Sequence, residues 1–567
     1  MNDSAQDGIS NRAYDVAFLG DSHFPGENDD ENDGLMEDEE TKLLADDRDR
    51  YTTGRQGNGG VNNGAVFTYE ESLTAVGTGK FHLLLLLLCG WAVSSDAVEV
   101  LSVSFLLPSA TCDLHLDSQD KGWLNAIVFV GMMVGGYFWG SLADKSGRRS
   151  VLMWSLTVNG LGGLLSSVSQ VFWLFLVFRF ISGIGVGGSI PVIFTYFTEF
   201  QARSRRGSMI SVLATFWMAG NILAAGLAWL VIPHTSLGYF SSEFKYNSWR
   251  IFIALCTVPS LTSAAIFVLM PESPKYLLKY GREDEAMKVL KKIHRSNKST
   301  GSFNISGLVL SLDETGKQDG GTVGVEESVD IKKGRGGCCG ALCSMWENTL
   351  TLFRPRLRSV TCVLLIVNFT IAFGYYGLFM WFPEIFNRID KNGGTMCEPG
   401  NKEDNSTSSN GTAVCEPVGD IVYLEGFLTA VSNLPGNLLT IALMDRIGRK
   451  ILLASSMVIS GLSVFFLWFV HERWQNILMS CIFGAVSTIG FNALDVLQTE
   501  LFPTDVRSTA FGVQTGIMRI AAILGNVIFG LLVDVHCAIP MILVAALMAF
   551  GGLVSLRLPN TMGLDIH

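Results

Sequence analysis

Asp96 and Glu99 stand three residues apart inside the apolar run 81–107, a spacing that puts both on one helical face. A carboxylate near the centre of a bilayer is costly, and it faces either a water-filled cavity or a partner. Two acids together there suit the binding of a proton or of a cationic group. The competing reading is a structural pair neutralised by an Arg or Lys from another helix. Asp495 and Arg519 are the charges of two later runs, and Arg519 either neutralises Asp495 or binds an anionic group of a solute. Asn492 lies one turn before Asp495 and joins that set. Trp217, Tyr375 and Tyr376 lie centrally in their runs, where rings stack on a solute, hold a cation on their π faces, or simply pack. Trp381, nearer a run's end, reads as an interfacial anchor. Arg179 precedes Gly183-x-Gly185-x-Gly187, which lets helices approach closely, and reads as structural.

Nothing in the chain points to an enzyme. It has no G-x4-G-K-[ST] phosphate loop, its histidines lack metal-ligand spacing, and its cysteines form no paired C-x2-C pattern. Neither a cofactor nor a metal is expected.

A second charged set repeats. Asp144-Lys-Ser-Gly147-Arg148-Arg149 recurs as Asp445-Arg-Ile-Gly448-Arg449-Lys450, at an offset of 301 residues. The same offset carries Glu199 onto Glu500 and Arg206 onto Arg507. Two separated matches without drift imply two homologous halves. These charges could hold the halves together in one conformation and part in another. The blander reading is a set of topology-determining cations. Acidic residues contribute little to topology, so their repetition favours the gating network.

The elements that carry these residues are membrane spans. Of the 567 residues, 49% are hydrophobic and 16% charged, against about 25% charged in a soluble domain. Twelve runs suffice for a hydrocarbon core of about 30 Å. Six lie in 81–270 and six in 358–558, with a polar central loop at 271–357 and a short tail at 559–567. Residues 1–80 hold 18 acidic and 6 basic side chains and no apolar period, so they are expected to be a disordered arm. The arm's acidity argues against nucleic-acid or anionic-lipid binding. In the central loop, Ala286, Val289, Leu290 and Ile293 recur at helical spacing and predict an amphipathic helix.

Lys and Arg in the short loops after the second, fourth, eighth and tenth runs put those loops, both termini and the central loop in the cytosol. Loop 384–420 then faces the lumen, and it holds two glycosylation sequons, at Asn405 and Asn410. Cys397 and Cys415 bracket that loop, where a disulfide between them is expected, two free thiols being the alternative. Cys338, Cys339 and Cys343 lie beside basic residues in the central loop, where palmitoylation and unmodified thiols are equal readings. In the arm, Glu39, Leu43 and Leu44 fit an acidic dileucine sorting signal.

G140-S-L-A-D-K-S-G-R-R149 resembles the signature of the major facilitator superfamily between its second and third helices. Arg179-x3-Gly183-x-Gly185-x-Gly187 and Pro271-Glu-Ser-Pro274 resemble motifs of its sugar porter and organic ion transporter branches. Longer strings, Asp96-Ala-Val-Glu99-Val, Phe216-Trp217-Met, Tyr375-Tyr376-Gly-Leu and Asn492-Ala-Leu-Asp495 among them, are similar to the synaptic vesicle glycoprotein 2 family. The short loop 384–420 departs from that family's long luminal domain. The resemblance implies an all-α membrane protein with twelve helices in two six-helix bundles. It also implies alternating-access transport of a small polar solute, an organic ion or a sugar-like molecule, with proton coupling, in a synaptic or secretory vesicle. One alternative is a vesicle glycoprotein that does not transport and recruits sorting adaptors or exocytosis proteins through its arm. The other is a plasma-membrane carrier. The lipid bilayer and a small solute are the expected partners, with no nucleic acid.

Overall fold

The computed structural model describes residues 65–240, 245–297, 305–309, 349–391, 418–470, 472–536 and 538–559. Glu39, Leu43, Leu44, Cys338, Cys339, Cys343, Cys397, Asn405, Asn410 and Cys415 lie outside them, as does the side chain of Asp445.

The first half runs through α2 (Lys80–Leu114), α3 (Ser118–Ser146), α4 (Arg148–Val168), α5 (Phe172–Thr198), α6 (Arg203–Val231) and α7 (Ser248–Phe267). Ahead of it stand β1 (Ala65–Thr68) and α1 (Tyr69–Val76), and a two-strand hairpin, β2 (Tyr239–Phe240) with β3 (Lys245–Tyr246), precedes α7. The central loop contributes α8 (Pro274–Lys279), α9 (Glu283–Asn297) and β4 (Ile305–Val309). The second half holds α10 (Arg358–Phe379), α11 (Phe382–Lys391), α12 (Asp420–Ile447), α13 (Arg449–Leu467), α14 (Arg473–Leu501), α15 (Thr504–Leu532) and α16 (Ala538–Ser555). Among the described residues 12 helices are long and apolar enough to cross a bilayer: α2 to α7, α10, and α12 to α16. Their outer faces keep large apolar side chains such as Leu83, Leu84, Trp154 and Trp173 exposed, as lipid contact requires.

The duplication read from the offset recurs in the packing. In the first half α3 packs on α5, α4 on α5, α2 on α6 and α4 on α7. In the second, α12 packs on α14, α13 on α14, α10 on α15 and α13 on α16. These are the same pairs six spans later. The halves meet where α3 lies against α15 and α6 against α12, two contacts that a two-fold axis interchanges. Both D-x-x-G-R turns also share a backbone conformation, Gly147 at φ +94° and Gly448 at φ +93°, a region that side chains disfavour. The Gly-x-Gly-x-Gly run wedges α5 between two neighbours. A Cβ at Gly183 or Gly187 would strike the α3 backbone, and one at Gly185 the α4 backbone.

Two expectations are corrected. The arm is not disordered through residue 80. Thr68 and Glu71 form a capping box, β1 pairs in parallel with β4, and Tyr69, Ser72, Leu73 and Val76 are buried. That i, i+3, i+4, i+7 stripe was masked by the acidic composition around it. The loop expected at 384–420 instead begins with helix α11, whose Phe382, Ile385, Phe386 and Ile389 are buried. In the central loop α9 buries Ala286, Leu290 and Ile293 on one face.

Candidate functional site

In the first half the two acids sit in a seam among α2, α4 and α5. Asp96 is 0% exposed and Glu99 1% exposed. Arg179 Nη1 and Ser182 Oγ each donate to Glu99 Oε1 at 2.6 Å, and Arg179 Nη1 also donates to Ser102 Oγ at 3.0 Å. Asp96 accepts from Ser189 Oγ at 2.7 Å and Asn159 Nδ2 at 3.2 Å. Asn159 also accepts from Ser182 at 3.1 Å, so one polar network links both acids. The backbone permits this because Gly163 leaves room: a Cβ there would press on Glu99 Oε2 at 3.1 Å. The acids therefore do not line a cavity between the halves. Glu99 takes the competing reading, a pair neutralised from another helix, and Arg179 is its counter-ion rather than a packing residue alone. Asp96 has hydroxyl and amide donors and no cation partner among the described residues.

The second half is arranged differently. Asp495 is exposed on α14, unlike the buried acids of the first half. It forms no ion pair among the described residues, so Arg519 does not neutralise it. Arg519 bonds to the Tyr376 hydroxyl and lies 6.0 Å from the Phe129 ring centre. Phe129 belongs to the first half and meets Tyr376 edge-on at 5.0 Å, so this cluster bridges the halves. Asn492 donates to Asn437 Oδ1 at 2.8 Å, and its ring neighbour Phe491 meets both Tyr375 and Tyr376. Tyr375 itself is buried and stacked on Phe379 at 4.9 Å, which makes it a packing residue. Trp217 is half-buried, and Trp381 is 0% exposed against Phe529 rather than interfacial. Gln514 is buried with neither amide atom bonded, five residues before Arg519 on α15, and sequence reading passed over it.

The charged turns pair locally in this conformation. Arg148 pairs with Asp144 at 3.2 Å and Glu199 at 3.3 Å, all in the first half. Arg449 pairs with Glu500 at 3.1 Å in the second. Arg149 donates to the carbonyls of Phe267 and Val268, Arg507 to that of Phe502, and Arg206 to Glu70 of α1 at 2.8 Å. Among the described residues, the bonds given for these side chains stay within one half and brace each bundle in this conformation. The duplication repeats the pairing, since in each half the Glu of the later turn meets the Arg of the D-x-x-G-R turn, Glu199 with Arg148 and Glu500 with Arg449. Burial raises the Glu199 carboxyl above its ordinary value, against the opposing pull of the Ser273 hydroxyl and Arg148.

The bonds between halves gather at the opposite face. Lys121 Nζ meets Glu384 Oε1 at 2.7 Å, both buried, and Arg388 donates to Ser118 Oγ at 2.8 Å. Arg388 also holds Glu384 at 3.2 Å and Asp534 at 2.9 Å. Nearby, Ser104 donates to the Met380 carbonyl at 2.6 Å and Ser109 meets the Tyr423 hydroxyl at 2.7 Å. This clasp went unseen in the sequence, since Lys121 and Glu384 are 263 residues apart. Close by, at the end of α2, Cys112 is disulfide-bonded to a residue outside those described, while Cys89, Cys256, Cys362 and Cys481 are free.

Residues 81–330 match the family described as Sugar (and other) transporter, and residues 420–562 match the Major Facilitator Superfamily. Synaptic vesicle glycoprotein 2C of Mus musculus is 34% identical over 590 residues, covering 87% of this chain and 80% of that protein. Synaptic vesicle glycoprotein 2B of Homo sapiens is 34% identical over 589 residues, covering 87% and 85%. Among solved structures, the inward-open xylose transporter XylE from E. coli superposes with a TM-score of 0.58 at 16% identity, covering 86% of this chain and 98% of that one.

Proposed function

Because the chain belongs to the major facilitator superfamily, among the relatives of synaptic vesicle glycoprotein 2, we propose that it is an alternating-access carrier of a small polar solute in a vesicle membrane. One observation supports the reading: the halves are clasped at one face by Lys121 and Glu384, while Asp495 is exposed with no ion-pair partner among the described residues and Arg519 lies beside Tyr376, where this reading puts a solute cavity open at the other face. A solute with both an anionic and a cationic or hydroxylated group fits two opposite charges that do not cancel each other. Parting of Lys121 from Glu384 would open the clasped face as the halves rock. In this reading the D-x-x-G-R face is cytosolic, Asn405 and Asn410 carry luminal glycans, and the dileucine at Leu43 and Leu44 sorts the protein.

Coupling to protons is assigned to the Asp96–Glu99 network rather than to the cavity. Asp96 lacks a cation, so it is the member whose charge a proton would cancel, and the shared Asn159–Ser182 link would pass the change to Glu99 and Arg179. The test is uptake into liposomes holding the full chain, with solute panels and an imposed pH gradient. Gradient-driven uptake that survives Asp495→Asn unchanged would overturn the site. Uptake that keeps its pH dependence in Asp96→Asn with Glu99→Gln would overturn the coupling.

A second reading rests on the docked end of the arm. Glu70 holds Arg206 and Tyr69 bonds to the Glu199 carbonyl, so the arm is tied to the turn after α5. A regulator that recruits exocytosis or sorting proteins through residues 1–64 would lose its effect on their deletion, whereas a carrier keeps its flux.

A further inference from the structure

We propose that the groove between the start of α10 and the end of α16 binds an anionic glycerophospholipid from the leaflet on the D-x-x-G-R face. The groove encloses about 500 Å³. Arg358, Ser359 and Arg557 line its mouth, and Ile366, Phe550 and Val554 continue its wall. From Arg358 to Ile366 the α10 wall descends about 12 Å at 1.5 Å per residue, which takes it from the headgroup level into the acyl region. Ile366 is 40% and Phe550 52% exposed, so the wall opens sideways to lipid.

Charge decides the occupant. Arg354 and Arg356, in the segment leading into α10, are exposed beside Arg358 and Arg557. None of the four has an ion-pair partner among the described residues, whereas Arg148, Arg206 and Arg449 on the same face each hold a carboxylate. Four uncompensated guanidiniums at the edge of a bilayer attract anionic headgroups, and paired guanidinium donors suit a phosphate's oxygens. A soluble anion would satisfy the mouth and leave the apolar wall bare. A neutral lipid would cover the wall and leave the arginines unanswered. A lipid with both an anionic head and acyl chains answers both. The whole-chain charge of −11 conceals this patch, because the acids are concentrated in the arm.

The experiment follows the melting of the full-length protein in detergent micelles titrated with dioleoyl phosphatidylserine, dioleoyl phosphatidylcholine or inorganic phosphate. The serine lipid should raise the melting temperature at low mole fraction, and the other two should not. In Arg358→Gln with Arg557→Gln, about tenfold more serine lipid should be needed for the same shift. Val554→Trp, which fills the wall, should weaken the response while leaving the arginines in place. Equal shifts from the two lipids, or an equal shift from inorganic phosphate, would overturn the proposal. These arms use the wild-type chain, so they decide even if a variant fails to fold.

Discussion

Glu99 and Arg179 form an ion pair at 2.6 Å in which the two side chains are 2% and 0% exposed. Such a pair earns little net stability over apolar packing, yet breaking it strands a charge in a low dielectric. Arg179→Met should therefore destabilise the protein by about 3–5 kcal/mol. Adding Glu99→Leu should recover most of that loss, because it removes the stranded carboxylate. Chemical unfolding of both variants in micelles checks this; a loss below about 1 kcal/mol for the single variant would mean that water reaches the seam.

Lys121 and Glu384 carry the clasp between the halves. Lys121→Met leaves Glu384 with Arg388 as a remaining donor, so the cost to the clasped state should be about 1–3 kcal/mol, the range for a lost charged hydrogen bond. The population should shift toward opening of that face. A cysteine placed at Ser104, which is buried beside Met380, should then react faster with an impermeant thiol reagent added from that side. An unchanged rate would show that packing of α3 on α15 alone holds the face shut.

The two faces should respond to pH with opposite sign. Glu199 has a raised carboxyl value, so the structured state binds its proton more tightly than a free carboxyl near 4.5 would. Its contribution to stability thus falls as pH rises from that ordinary value through the raised one. At the clasp, partial burial opposes ionisation of Asp534, but Ser118 and Arg388 prevail and hold it below the usual range. Its contribution is present above the ordinary value and is lost as pH falls through the depressed one. Melting temperatures across pH 3–8 should therefore lose their decline above 4.5 in Glu199→Gln, and part of their acid fall in Asp534→Asn. Profiles that coincide with the wild type in both variants would refute the assignments.

The twelve spans and their division into sextets were legible because length and hydropathy determine them, and the 301-residue offset also foretold the duplicated packing. Asp96 and Glu99 were legible as buried acids, but not their partners: nothing local to Arg179 says that it points at Glu99. The charged turns were legible as a repeated set, but the partner of each was not. An identical spacing in both halves is compatible with pairing across the halves or within each, and only geometry decides. The clasp stayed hidden because Lys121, Glu384, Arg388 and Asp534 each look like ordinary loop charges until three helices bring them together. In the arm, a stripe of four buried residues is too short to register against eighteen acids.

That docked stripe can be tested directly. Tyr69 is 0% exposed, and its hydroxyl reaches the Glu199 carbonyl, whereas the Glu70–Arg206 pair is about a third exposed on each side. Exposed ion pairs contribute about 0.2–1 kcal/mol, and burial of an aromatic ring several times more. Tyr69→Ala should therefore release β1 and α1, and Glu70→Gln should not. Hydrogen exchange over residues 65–76 and 305–309 should quicken together in the first variant, since β1 and β4 share their ladder. Protection lost equally in the two variants would put the weight on the ion pair instead.

Asp495 and Arg519 yield the sharpest separation of function from folding. Asp495 is exposed and has no ion-pair partner among the described residues, so Asp495→Asn removes no contact that the fold depends on. Its unfolding free energy should stay within about 0.5 kcal/mol of wild type, as for other exposed substitutions. Arg519 also holds Tyr376 and lies over Phe129, so Arg519→Met should cost more stability, about 1–3 kcal/mol. If both charges contact solute, each variant should lose uptake for solutes of its own complementary charge and keep more of the rest. Asp495→Asn would then discriminate against cationic solutes and Arg519→Met against anionic ones. A common loss for every solute would mean that the two residues hold the halves in register and do not recognise solute.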